Sequence, residues 1–119
     1  MICEVQSGTL FIDGQSVPLE WPVLQALEHS GKVFALLDPD AYTGDPNQRE
    51  ARRAGAPAIR NLLAFDRHGN QLWRADMPDS VDYYYRIASV VPLVAYSFSC
   101  YRCEIDSENG RIKVSEFVK

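Results

Sequence analysis

Short alternating apolar runs, closed by turns of Asp and Gly, constrain this chain most strongly and favour an antiparallel β fold. Residues 10–12 lead into Asp13-Gly14 and return through residues 15–19. Both residues of an Asp-Gly pair tolerate a positive φ, so this pattern predicts a tight β-hairpin. The same unit recurs around Asp66 and Asp106, which predicts two further hairpins in the second half.

A buried strand and one helix are predicted between the first hairpin and the second. Residues 33–37, Val-Phe-Ala-Leu-Leu, form an unbroken apolar run typical of a strand buried on both faces. Pro22 suits a first helical position and Gly31 suits a C-terminal cap. Apolar residues between them have the spacing of one helix face. We therefore predict a short helix over residues 22–30.

Length and composition fit one domain built from these elements. The chain has 119 residues, of which 46% are hydrophobic and 24% charged, which is ordinary globular usage. We predict a single mainly β (α+β) domain over residues 1–119, with about seven to nine antiparallel strands and one short helix packed on the sheet. The predicted core comprises Leu10, Ile12, Leu24, Leu27, Phe34, Leu36, Leu63, Phe65, Ile87, Val94 and Ile105.

The repeated hairpin unit invites comparison with propeller repeats. Asp66 and Asp106 are about 40 residues apart, which is comparable to the length of one propeller blade. A closed propeller needs at least four blades, and a chain of this length is expected to hold fewer than three. The sequence therefore excludes a whole propeller within one copy.

Cys100-Tyr101-Arg102-Cys103 is a C-x-x-C motif that predicts neither redox activity nor a metal site. A redox pair needs a helix N-terminus to lower the pKa of the first thiol, and this stretch has the pattern of a strand. The remaining soft ligands lack the spacing of a zinc site, and an odd cysteine count disfavours a disulfide framework. We predict reduced cysteines that act as small buried apolar residues, with no metal and no cofactor.

Candidate catalytic residues are few. The acidic run that starts at Asp38 departs from a calcium loop in the positions of its glycine and its twelfth residue. His29 and His68 have no neighbouring Ser or Cys nucleophile, and no phosphate-binding glycine loop is present. We predict no catalytic residue and no enzyme. A small-ligand-binding or hydrolytic enzyme domain of unknown substrate, built from distant residues, is the alternative.

Net charge and segment lengths limit the partners. Twelve Lys and Arg against sixteen Asp and Glu give a net charge of −4, which disfavours direct nucleic-acid binding and favours a basic protein partner. No apolar stretch approaches the ~20 residues of a membrane helix, and the first residues lack an export signal. We expect a cytoplasmic protein without membrane contact.

Two interpretations apply to the acidic and aromatic residues 76–86. In one, Tyr83 and Tyr85 are core residues and the aspartates solvate a loop. In the other, carboxylates and an aromatic anchor form a contact surface for a partner protein. The candidate partner-binding residues are Asp76, Asp79, Asp82, Tyr84, Asp38, Asp40, Tyr42 and Asp45.

Residues 61–66, 72–73, 93–96 and 105–119 resemble a group of small stand-alone bacterial proteins that end in a short strand finishing with Phe-x-Lys, here Phe117-Val118-Lys119. Some of these resemble immunity proteins of contact-dependent growth inhibition and related polymorphic toxin systems. The resemblance implies a protein that binds a cognate toxin domain, for which a nuclease is one candidate, and neutralises it by occluding its active site. It assigns no functional residue.

Overall fold

The structure, a computed structural model, describes residues 2–39, 60–78 and 82–118 and arranges eleven strands in three antiparallel sheets. The N-terminal sheet contains β1 (Cys3–Gln6), β2 (Thr9–Ile12) and β3 (Gln15–Val17). The middle sheet contains β4 (Val23–His29), β5 (Lys32–Leu37), β6 (Leu62–Phe65) and β7 (Gln71–Arg74). The C-terminal sheet contains β8 (Tyr84–Val90), β9 (Leu93–Ser97), β10 (Tyr101–Ile105) and β11 (Ile112–Phe117).

Each sheet is a meander in which consecutive strands are neighbours. The predicted mainly β, antiparallel fold is therefore confirmed, and all three predicted hairpins are present as β2–β3, β6–β7 and β10–β11. The predicted strand number of seven to nine is too low. The expectation of fewer than three blade-like sheets is also wrong, because the chain forms three.

The predicted helix over 22–30 is wrong, because this segment contains strand β4, which pairs with β5. Ser30 and Gly31 form the hairpin turn between the two strands, with φ values of 51° and 79°. A left-handed glycine serves both a helix cap and a tight hairpin turn, so Gly31 alone did not separate the two. A register shift between Val23 and Gln25 leaves Leu24 53% exposed, contrary to its predicted place in the core.

The middle sheet is packed between the other two sheets and is apolar on both faces. Val33, Ala35 and Leu37 on β5 face the N-terminal sheet, and Phe34 and Leu36 face the C-terminal sheet. This alternation confirms the prediction of a strand buried on both sides. Two separate cores result, one on each face of the middle sheet. Of the predicted core residues, Leu27 is only partly buried and the remainder except Leu24 are buried.

Candidate protein-binding surface at the loop end

One end of the molecule, here called the loop end, gathers the strand termini that surround the predicted partner-binding residues. Strand β5 ends there, β6 begins and β7 ends, as backbone bonds from Leu37 N to Asn61 O (2.8 Å) and from Ala75 N to Leu62 O (2.8 Å) show. The C-terminal sheet joins it through a bond from Phe98 N to Tyr83 O of 2.9 Å. Alternating strand direction in the two meanders produces this convergence.

Asn61 fixes the geometry of the loop end. Its buried side chain donates from Nδ2 to Leu37 O (3.0 Å) and to Tyr84 O (2.7 Å). Its Oδ1 accepts from Tyr84 N at 2.9 Å. One side-chain amide thus bonds both backbone groups of the first residue of β8 and joins the middle sheet to the C-terminal sheet. Sequence reasoning missed this role, because a lone Asn before a strand reads equally well as a turn residue.

Tyr84 is not a surface residue, and its prediction as a partner-binding aromatic is wrong. Its side chain is 0% exposed, and its hydroxyl donates to Asp76 O at 2.7 Å. Burial raises the pKa of the Tyr84 phenol above its ordinary value. A register shift between Tyr84 and Arg86 inserts Tyr85 as an extra residue, so Tyr84 turns into the core. Tyr85 turns outward and is exposed, contrary to its interpretation as core.

Asp82 is also misassigned as a contact residue, since it is 1% exposed. Its Oδ1 accepts hydrogen bonds from Tyr83 N (2.8 Å) and from Ser99 N (3.1 Å). Its carboxylate therefore holds the β9–β10 turn against the start of β8 and has a structural role. Its Oδ2 has no hydrogen-bond partner within residues 2–39, 60–78 and 82–118.

The other candidate residues divide into two groups. Asp76 remains at the surface, where its Oδ1 lies 3.3 Å from Nη2 of Arg60. Asp38 is half-buried, and its backbone N donates to Pro22 O at 2.7 Å. The structure therefore brings Asp76, Asp82 and Tyr84 to the loop end but leaves only Asp76 accessible. Asp40, Tyr42, Asp45 and Asp79 lie outside the described residues.

An aromatic cluster, here called the aromatic edge and made of Tyr83, Phe98, Tyr101 and Phe117, lies at the same end of the C-terminal sheet. The rings of Tyr83 and Phe98 stack with centroids 5.1 Å apart, and those of Tyr101 and Phe117 meet edge to face at 5.7 Å. Phe98 is 63% exposed and Phe117 is 60% exposed. Large aromatic side chains exposed to this extent are typical of interaction surfaces.

The β9–β10 turn places this cluster. Cys100 adopts a φ of 71° in the turn, and its carbonyl accepts from Val118 N at 2.7 Å. That bond continues the β10–β11 ladder and brings the end of β11 beside the turn. The sequence indicated a bulge or tight turn near Ser99-Cys100, and a turn is present. The signal that could have located the aromatic edge is Phe98 between two serines in that turn.

The cysteines are free, and the two of the C-x-x-C motif lie in different environments. Cys103 is buried in the core beside Tyr84, and burial raises the pKa of its thiol above the ordinary value. Cys100 is exposed, so its prediction as a buried residue is wrong. Within the described ranges, no group of three or more His, Cys, Asp or Glu side chains could hold a metal ion.

Comparison with known proteins places the chain by family alone. A family model described as "Domain of unknown function (DUF7957)" matches residues 1–117. Neither the curated proteins nor the solved structures contain a match to this chain. Among the residues that the structure describes, no helix has the length and apolar character needed to cross a membrane.

Proposed function

We propose that this chain, which belongs to the DUF7957 family of domains of unknown function, is a protein-binding module whose contact surface is the aromatic edge. The observation that carries the proposal is the exposure of two phenylalanines on an ordered frame. Phe98 and Phe117 project from strand ends and each is packed on a tyrosine. Aromatic residues of this kind are enriched among interface residues that dominate binding free energy.

The frame beneath the aromatic edge favours binding, because it is already ordered before a partner arrives. Asp82 bonds the backbone of the β9–β10 turn, and Ser97 Oγ accepts from Tyr101 N at 3.2 Å. Side chains held in this way lose less conformational entropy on association than mobile ones. The aromatic edge can therefore present a preformed apolar surface to a partner protein.

The proposed partner is a cognate toxin domain that the protein neutralises in the cytoplasm by covering its active site. This choice rests on the resemblance of residues 61–119 and on the net charge of −4. A negative field increases the rate of association with a basic cleft, such as that of a nuclease. Asp76 adds a surface carboxylate at the same end of the molecule.

Binding to the protein encoded immediately upstream tests both parts of the proposal. We expect Phe98→Ala and Phe117→Ala each to raise the dissociation constant about 10- to 100-fold, since loss of an aromatic anchor costs roughly 1–3 kcal/mol. The matched control is Leu72→Ala, because Leu72 is another exposed large apolar residue but lies on β7. Calorimetry measures the affinities, and co-expression measures protection of cell growth.

Cys100 provides a second readout that does not depend on substitution. Its exposed thiol lies in the turn that carries Phe98, whereas Cys103 is buried. Partner binding at the aromatic edge should slow maleimide labelling of Cys100 in the wild-type protein. Equal affinities for Phe98→Ala, Phe117→Ala and Leu72→Ala, with unchanged labelling, would refute this surface. Tight binding without protection of growth would refute the toxin-neutralising role and leave the binding role standing.

A further inference from the structure

The three sheets fan outward from their first strands. Strand β1 lies against β4, and β4 lies against β8. Gln25 on β4 marks the second contact, because its side chain bonds both N and O of Ile87 on β8, at 2.9 and 3.1 Å. The later strands then lead away from this line in each sheet, ending at β3, β7 and β11. Propeller blades share this arrangement of meanders whose first strands meet.

The fan leaves two sheet faces without a neighbouring sheet. One, here called the N face, is the outer side of the N-terminal sheet. Glu4 lies beside Phe11 in the β1–β2 register, and both point away from the core that contains Leu10 and Ile12. These residues line a cavity of about 310 Å³ together with Ile2, Gln6, Asp13 and Gly14. The charged side chains of the N face, Glu4 and Asp13, are both acidic.

The other open face, here called the C face, is the outer side of the C-terminal sheet. Arg102 pairs with Tyr96 in the β9–β10 register, and the guanidinium of Arg86 lies 4.8 Å from the centre of the Tyr96 ring. Val94 on the same face is 2% exposed although it belongs to neither core. Among the described residues, neither arginine takes part in an ion pair, whereas Glu104 lies 3.8 Å from Lys113.

We propose that two copies of this chain form a closed head-to-tail dimer in which the C face of each copy packs on the N face of the other. Arg86 and Arg102 then meet the acidic N face, while Tyr96 and Val114 meet Phe11 and Ile2. Burying Glu4 requires such a cation, because an unpaired buried carboxylate is strongly unfavourable. The inference does not rest on the proposed function, since the aromatic edge lies at the strand ends.

The number of sheets selects a dimer. Closed propellers contain typically four to eight blades, so one copy with three sheets cannot close. Two copies supply six, whereas three copies supply nine and exceed that range. A two-fold axis makes the two contacts identical and uses every open face, so the assembly ends at the dimer.

Solution mass and two charge reversals test the dimer. Light scattering after size exclusion should give twice the chain mass of 13.4 kDa for the wild-type protein. Glu4→Arg places like charges against the C face, and Arg102→Glu places them against the N face. Each variant should weaken dimerisation at least about 10-fold and elute as a monomer. Arg67→Glu is the control, because it makes the same charge change in the exposed β6–β7 turn.

Mixing the two variants distinguishes this dimer from others. In a mixed pair, one contact joins the two reversed residues and the other joins two wild-type faces, so an equimolar mixture should recover the dimer. Circular dichroism confirms that each variant is folded before mixing. A monomeric wild type, a larger open assembly, dimers that persist in both variants, or a mixture that stays monomeric would each overturn the proposal.

Discussion

The two interfaces of the middle sheet are held together in different ways. On the N-terminal side the core is almost entirely aliphatic, with Phe65 as its one aromatic member among the described residues. On the C-terminal side the core contains Phe34, Trp73 and Tyr84. This second interface is also crossed by directional bonds from polar side chains, most clearly those of Asn61 and Gln25. Apolar burial drives both interfaces, but only the second adds several side-chain bonds of fixed geometry.

This difference separates adhesion from orientation. Burial is roughly proportional to area and tolerates small sliding movements of one sheet over another. A side-chain amide that bonds both N–H and C=O of one residue allows a single register. The C-terminal sheet carries the aromatic edge, so the orientation of this sheet matters for the proposed surface.

Asn61→Ala is expected to have the largest effect and would break the comparison if it did not. The substitution leaves Leu37 O, Tyr84 O and Tyr84 N without their partner in a buried site. Each such group costs roughly 1–3 kcal/mol, so we expect a loss of about 3–5 kcal/mol in unfolding free energy. Denaturant titration measures it.

The control for Asn61 is Asn70→Ala, which removes an exposed Asn in the β6–β7 turn that bonds only Asp66 nearby. We expect that variant to lose about 1 kcal/mol or less. If the two variants are equally stable, the C-terminal interface depends on burial alone, as the N-terminal one does.

Turn glycines that touch a neighbouring sheet or connection offer a matched test of the two sides. A Cβ at Gly110 would lie 2.5 Å from Cε3 of Trp73, and a Cβ at Gly8 would lie 2.8 Å from Cβ of Pro22. Gly14 has a similar φ of 81° but nothing within 4 Å. We expect losses of about 2–4 kcal/mol for Gly110→Ala and Gly8→Ala, against about 1–2 kcal/mol for Gly14→Ala. Thermal unfolding measures all three, and equal losses would mean that backbone strain alone decides.

Lys32→Met should have the smallest effect. Its Nζ bonds Ser107 O at 3.1 Å and lies 2.9 Å from Oε1 of Glu108, which joins β5 to the β10–β11 turn. Glu108 is largely exposed, so solvent screens this pair and we expect a loss of about 0.5–1 kcal/mol that shrinks in high salt. A loss that is independent of salt would show that the bond to Ser107 O, rather than the ion pair, carries the effect.

The sequence predicted the elements whose signals are local. Asp66 accepts bonds from His68 N (2.8 Å) and Asn70 N (2.9 Å), as its place at a turn entry indicated. The buried alternation of β5 was equally legible, because nothing interrupts it. These features depend on residues adjacent in the chain.

The failures arise where strands change phase. The shift at Val23–Gln25 gave β4 an apolar spacing that resembles a helix, and the shift at Tyr84–Arg86 exchanged the inward and outward tyrosines. A bulge is defined by the partner strand as much as by its own residues, so a single strand does not reveal it. The burial of Asp82 depends likewise on the β9–β10 turn.

Gln25 also bears on how this protein avoids aggregation. Strand β8 is the last strand of its sheet, and such a strand normally offers free N–H and C=O groups to strands of other molecules. Here Gln25 bonds both groups of Ile87, and Asn61 bonds both groups of Tyr84. Two side-chain amides thus act as substitutes for a neighbouring strand. An extended segment of a misfolded molecule would have to displace them before it could pair with β8, so this edge is protected while the molecule stays folded.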